Sequence, residues 1–214
     1  MGKSNSDITT EFTSEQEQVF LGTMLGDGTL TPPKSNTQNS RFEGTHKAAH
    51  KEYLFWKYGV LEPSGIFPRP PYWRLSSRGH PTWRFYSRCL PILRDYRKLF
   101  YPDEIKIPPS EVLDKLEPLG LATWYQDDGG LKVGTQREPG RCWVELNTQG
   151  FTYESNLLIR DWLEKKFSFH FHLHRESDHW KLRLTRRYEA REFVDILVPY
   201  AVPCMEYKFS TSPN

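Results

Sequence analysis

Apolar and polar positions along the chain switch repeatedly between a helical period and a strand period. Thr13-Ser14-Glu15-Gln16-Glu17 offers two overlapping capping boxes, Thr13 with Gln16 and Ser14 with Glu17. The apolar stretch 19–26 that follows predicts a helix stopping at Asp27-Gly28. A short run at 29–31, a Pro/Ser/Asn loop at 32–40 and a strand near 41–46 come next. Residues 48–61 read as an aromatic-rich helix. Residues 72–78 and 82–88 alternate as two strands joined by Gly79-His80-Pro81, and 91–100 reads as a helix. The stretch 101–117, with Pro102, Pro108 and Pro109, reads as a linker with room for one helical turn.

The order then repeats. An apolar helix over 119–126 stops at Asp127-Asp128-Gly129. Strands follow near 130–134 and 142–148, then an amphipathic helix at 153–167, strands at 169–175 and 179–186, and a helix near 188–197. Asp27 and Asp128 lie 101 residues apart, and the duplication is one of architecture more than of side chains. The expected fold is α+β, with a first half at 12–100, a linker at 101–117 and a second half at 118–210. Alternation is clean in the strands: Trp83 and Phe85 oppose Arg84, Tyr86 and Arg88, while Trp180, Leu182 and Leu184 oppose Lys181, Arg183 and Thr185. Each sheet therefore has one apolar face for helices to cover and one open basic face.

Composition narrows the class. Aromatic residues make up 14% of the 214, enough large side chains to build cores and exclude a disordered chain. No apolar run reaches the ~20 residues of a membrane span, and the first residues lack the apolar core of a signal peptide. Cys89, Cys142 and Cys204 are too widely spaced for a disulfide framework or a zinc pattern, and Cys142 alternates into a core position. The net charge is only +2, but it is unevenly spread. Residues 28–51, 63–94, 129–151 and 165–188 carry +3, +6, +1 and +5, so the remainder is strongly acidic. A polarised molecule with a basic face suits a polyanion.

The candidate chemistry lies at the two Asp-Gly points. An acid at a helix C-terminus meets the negative end of the helix dipole, and here it recurs in both halves. Gly22 and Gly26, four residues apart, give the first helix a small-residue side, and Ala122 and Thr123 give the second a fairly small surface. Two such helices packed closely would bring Asp27 and Asp128 together. Two carboxylates and two negative helix ends call for a cation, and all-oxygen ligands select a hard ion such as Mg²⁺. Capped turns explain Asp-Gly equally well on spacing alone. The row His170, His172, His174 and His179 suits nucleic-acid contacts better than a metal, since alternate ligands on one strand sit ~7 Å apart.

FLGTMLGDG (20–28) and LATWYQDDG (121–129) resemble the two LAGLIDADG motifs of single-chain homing endonucleases, the first in degenerate form at Thr23 and Leu25. LNTQGFTYESN (146–156), KIPP (106–109) and VPCMEYK (202–208) resemble the corresponding stretches of the intron-encoded branch, so the likeness covers roughly residues 12–210. The resemblance implies two pseudo-symmetric αββαββα halves packed through their motif helices, with two antiparallel sheets forming a saddle over DNA. It implies Asp27 and Asp128 as metal-ligating catalytic acids, with Asp127 not a principal ligand. It also implies Lys106 and Lys208 as a basic residue beside each active site. The cofactor would be Mg²⁺, with Mn²⁺ able to substitute and Ca²⁺ binding without supporting cleavage.

The implied activity is double-strand DNA cleavage across the minor groove by a monomer, leaving short 3′ overhangs. A splicing maturase acting on intron RNA is the alternative on the same fold. Location would be an organelle of the host or a prokaryotic cytoplasm, without secretion or membrane attachment. Candidate DNA contacts on the open faces are Arg41, Arg74, Arg78, Arg84, Arg88, Lys132, Arg141, Asn147, Gln149, His172, Lys181, Arg183 and Arg186. Arg to guanine and Asn or Gln to adenine are the favoured pairings in the major groove.

Overall fold

In the computed structural model, residues 11–33, 37–134 and 140–210 are described; the centre of the 32–40 loop and the first ten residues lie outside them. The chain runs α1 (Ser14–Leu25), β1 (Thr29–Thr31), β2 (Arg41–Lys47), α2 (Lys51–Leu61), β3 (Tyr72–Leu75), β4 (Pro81–Tyr86) and α3 (Pro91–Phe100). The connecting stretch holds α4 (Ser110–Lys115). The pattern then recurs as α5 (Pro118–Asp128), β5 (Gly129–Val133), β6 (Cys142–Leu146), α6 (Tyr153–Phe167), β7 (His172–Glu176), β8 (His179–Leu184) and α7 (Arg187–Leu197).

The two antiparallel sheets have the same topology, β1-β2-β4-β3 and β5-β6-β8-β7. Register repeats as well. Thr29, two residues past Asp27, pairs with Glu43, and Gly130, two past Asp128, pairs with Glu145. The α+β architecture of duplicated halves is therefore present down to the pairing.

Each sheet buries its apolar face, as the alternation requires. Phe42 meets both Phe85 and Phe20 of α1 in the first half, where Phe20 also packs edge-on against Tyr96 of α3. In the second half Phe193 of α7 gathers Tyr125, Phe169 and Phe171. Cys142 is buried beside Val144 and Leu146. One of the two predicted capping boxes forms: Gln16 N–H donates to Thr13 Oγ1 at 3.3 Å, and Thr13 N–H donates to Gln16 Oε1 at 3.1 Å. Several boundaries differ from the sequence reading, β4, β6 and β8 each ending two residues early. α5 runs on through Asp128, β7 begins at His172 and not 169, and β3 stops at Leu75. Phe169 and Phe171 are still buried, because they turn into the α7 core before the strand starts.

The central joint is α1 against α5, the most extensive contact between helices in the molecule. Gly22 makes it possible: a Cβ there would lie 2.2 Å from the Gly120 carbonyl oxygen and 2.8 Å from Thr123 Cβ. Gln18 straps the pair at its other end, donating to the Lys115 carbonyl at 2.9 Å and accepting from Glu117 N–H at 2.7 Å. Among the described residues no helix is long and apolar enough to cross a membrane.

Candidate active site

The site is built where α1 and α5 end side by side. α1 stops at Leu25, Gly26 caps it, and Asp27 follows. Asp128 closes α5, and its carbonyl accepts Asn147 N–H at 2.9 Å. Gly129 is required at that exit, since a Cβ would lie 2.1 Å from the Tyr125 ring. Asp27 and Asp128 line one cleft of about 180 Å³ together with Lys106 and Asn147.

The two lysines reach matching places. Lys106 Nζ donates to the carbonyls of Gly26 (2.8 Å) and Gly28 (3.0 Å), and Lys208 Nζ donates to the carbonyl of Asp127 (2.7 Å). Each ammonium thus satisfies carbonyls at the C-terminal end of one motif helix, where the dipole favours a cation. Neither is the solvated surface lysine its composition class would suggest. Tyr125 OH, donating to the Lys208 carbonyl at 2.7 Å, fixes the segment that delivers Lys208.

Electrostatics set this cluster apart. Burial, then repulsion from Asp127, pushes the Asp27 carboxyl up to about 6. Burial, then the Asp27 and Asp127 charges, pushes Asp128 up to about 7. Burial draws Lys106 down to about 8, against the pull of the three carboxylates, and lowers Lys208 in the same way. Perturbed groups converging in a cleft are the physical signature of a functional site. The donor set also fits a hard divalent ion: oxygen ligands whose ionisation is held back for want of positive charge.

Asp127 does something else. Its side chain is fully buried and receives Lys57 Nζ on both oxygens, at 2.6 and 2.8 Å. Its Oδ2 also accepts Asp27 N–H at 3.2 Å. His46 stands beside the pair, its Nε2 3.2 Å from Lys57 Nζ and its Nδ1 3.3 Å from Asp27 Oδ2. Burial and the Lys57 charge lower His46 to about 3, so it is neutral here. Gly26 is small for this reason and not for helix contact: a Cβ would lie 2.5 Å from Asp127 Oδ2. Asp27, His46 and Asp127 are the one triad of described residues close enough to share a metal, but Lys57 already occupies Asp127. The histidine row of β7 forms no such group; His170 instead turns to Glu189, its N–H donating at 2.8 Å.

His46 and Lys57 are absent from the sequence reading. Signals for both exist. Lys57 shares the buried side of α2 with Tyr53, Leu54 and Leu61, and His46 has the inward parity of Phe42 and Gly44. A cation on an apolar helix face announces a buried partner.

The predicted DNA-contact residues fall into three groups. Arg41, Arg74 and Arg84 lie on the outer face of the first sheet, and Lys132, His172, Lys181 and Arg183 on that of the second. Arg78, Arg88, Arg141, Asn147 and Gln149 lie at strand ends and turns. Arg186 departs from expectation: it is the N-cap residue of α7 and pairs with Glu189 at 2.8 Å, off the strand row. Lys181 is also not free, lying 3.3 Å from Glu145 and 3.1 Å from Glu176.

A duplicated α+β fold whose motif helices end in paired acids defines a class, and comparison with known proteins agrees. The chain belongs to the LAGLIDADG DNA endonuclease family, whose model matches residues 17–190. It is 31% identical to a protein RecA of Mycolicibacterium chitae over 205 residues, covering 91% of this chain but 46% of the RecA. The chain thus spans about half the length of the mycobacterial RecA proteins it matches. It is 26% identical to DNA endonuclease I-ChuI of Chlamydomonas applanata, covering 92% of this chain and 95% of that one. The homing endonuclease I-WcaI, solved bound to its DNA recognition sequence, has the same fold, with TM-score 0.82, 22% identity, and coverage of 96% and 90%.

Proposed function

We propose that the protein is a site-specific endonuclease that cuts both strands of a DNA duplex, acting as a monomer with two LAGLIDADG motifs in one chain. The observation that carries this is the cleft between the ends of α1 and α5, where Asp27, Asp128 and Lys106 converge between two basic-faced sheets. Asp27 and Asp128 would hold a divalent ion, Mg²⁺ by preference, with Mn²⁺ substituting and Ca²⁺ binding without supporting cleavage. When bound, such an ion supplies Lewis-acid polarisation and lowers the pKa of water. The chain's own groups do the rest. The carboxylates would set where that ion sits, and Lys106 and Lys208 place positive charge near the phosphate oxygens as negative charge develops. The outer faces of the sheets set the register of the duplex through phosphate contacts and read base edges in the major groove.

Incubation with a randomised duplex library and Mg²⁺, followed by end sequencing, tests this. Recurrent paired ends with short 3′ overhangs at one sequence are expected. Asp27→Asn and Asp128→Asn should each abolish double-strand cutting while DNA binding persists. Normal cutting by both variants would place the active site elsewhere.

A further inference from the structure

The open face of each sheet carries a carboxylate at an equivalent position, and the cut-site chemistry makes no use of either. Glu43 is the sole acid in the strands of the first sheet. Glu145 is its counterpart by register, each pairing with the residue two past its motif acid. Strand parity turns both away from the core. Phe42 and Gly44 flank Glu43 on the inward side, and Val144 and Leu146 flank Glu145. A carboxylate on a face that receives a polyanion is repulsive unless it has another task.

Both acids hold cations. Glu43 receives Arg41 on one oxygen and Arg84 on the other. Arg41 is also stacked over the Tyr86 ring at 4.6 Å. Glu145 lies 2.7 Å from Arg183 Nε in an ion pair, accepts from Lys181 Nζ at 3.3 Å, and accepts from Trp143 Nε1 at 3.0 Å. Both glutamate side chains are nearly covered, at 11% and 7% exposure, while the Arg84 and Arg183 side chains keep 20% and 24%. Arg84 is therefore held through Nη2 and Arg183 through its Nε side, while part of each side chain stays exposed. A free arginine gives up rotamer freedom when it is fixed. A tethered one has already lost it before DNA arrives, and its aim is set.

We propose that Glu43 and Glu145 are positioning residues for base recognition, holding Arg84 and Arg183 at the angle for bidentate contact with guanine O6 and N7, one in each half of the target. This rests on the reading of the two sheets as the DNA-binding surface. It assigns specificity to acids that never touch DNA. Net charge in the first clamp stays positive, with two cations around the Glu43 carboxylate, while in the second Lys181 is shared between Glu145 and Glu176 and Arg183 is the more exposed of the two cations.

The test is a binding selection from a randomised duplex library without divalent metal, which leaves cleavage out. Wild type, Glu43→Gln, Glu145→Gln, Arg84→Ala and Arg183→Ala are compared by sequencing the bound duplexes. Glu43→Gln should flatten the same base-pair columns as Arg84→Ala, on one side of the target centre. Glu145→Gln should flatten those of Arg183→Ala on the other side. The guanine preference lost should be on the order of tenfold per column, the scale of one bidentate contact. Total capture of random duplex at low salt should rise, because a negative charge leaves the surface. A purely structural glutamate would not produce matching columns.

Glu43→Asp and Glu145→Asp serve where a glutamine variant melts early. They keep the charge, draw the carboxylate back by one methylene from its arginine, and should flatten the same columns. Unchanged profiles overturn the proposal. So does a switch to a new base at columns the arginine variants leave alone, which would mean the glutamates read bases directly. No enrichment by wild type would overturn the DNA-readout assignment itself and this inference with it.

Discussion

At the scale of single residues, the acids and lysines at the ends of α1 and α5 behave as one titrating cluster. The Asp27 and Asp128 carboxyls lie above their ordinary value, at about 6 and about 7. Protons therefore compete with a cation until the pH passes those values. Affinity for Mn²⁺, measured by calorimetry, should climb between pH 5.5 and 7.5, by up to about tenfold per unit, and level above 8. Asp128→Asn should remove the upper part of that rise. The same shifts act on the metal-free fold with a definite sign. A raised carboxyl favours the folded state below the ordinary carboxylate range, and that contribution disappears as pH rises through 6 and 7.

Lys106 and Lys208 hold backbone carbonyls beside the acids without pairing to a carboxylate oxygen. Lys106→Met and Lys208→Met should slow strand cleavage by a large factor and spare affinity, since each removes one charge from a broad basic surface. Strand-resolved kinetics on the selected target, with nicked duplex accumulating, would bear this out. Wild-type rates on both strands for both variants would remove the lysines from the mechanism. Asp27, Asp128, Lys106 and Lys208 were legible because each sits in a motif with local sequence context. His46 and Lys57 showed only as polar residues at inward positions, without their partner. Their meaning depends on Asp127, which is 81 and 70 positions away, and no local pattern reports a partner at that distance.

At the scale of elements, glycines show which parts of the fold were encoded in plain view and which were not. Both Gly22 and Gly26 read as small residues for a helix contact. Gly22 is one, against the Gly120 carbonyl; Gly26 instead makes room for the Asp127 side chain. Spacing gives a helix its small face but cannot say whether backbone or side chain will fill the space. Strand parity was legible throughout, because a one-residue slip would bury arginines and expose Phe42, Phe85, Leu182 and Leu184. Element ends were less so: α5 continues through Asp127 and Asp128, where Lys57 pairs with the Asp127 carboxylate and Lys208 satisfies the Asp127 carbonyl. Gly22→Ala should cost about 2–4 kcal/mol of stability, because backbone and Thr123 must both yield. Gly59→Ala is the contrast. Gly59 lies in α2 with nothing within 4 Å of an added Cβ, so alanine should stabilise by about 0.5–1 kcal/mol. Thermal melts of the two variants should move in opposite directions; a shared direction would mean that the α1–α5 contact relaxes freely.

At the scale of the whole molecule, the duplication is exact in topology and broken at the joint. Where the first half has Gly26, the second has Asp127, and that carboxylate crosses to Lys57 of the first half. By the register that matches Glu43 to Glu145, the place of His46 is taken in the second half by Thr148. The first acid thus has a buried imidazole 3.3 Å from its carboxylate where the second half has a threonine, so the two strand cuts should differ in rate. The ion pair also ties the halves together. Tyr53, whose OH donates to the Thr123 carbonyl at 2.9 Å and whose ring lies 4.5 Å from Lys57 Nζ, reinforces the crossing. Removing one member of a fully buried pair strands the other charge, at a cost of about 3–5 kcal/mol. Lys57→Met should therefore lower stability by that amount. Lys57→Met combined with Asp127→Asn should recover most of it, since no unpaired charge remains and the amide oxygen can still accept Asp27 N–H. Urea unfolding followed by both fluorescence and circular dichroism should show a single coincident transition for wild type, because the tie spans both halves. Losses that simply add in the double variant would show that Lys57 and Asp127 stabilise the two halves independently.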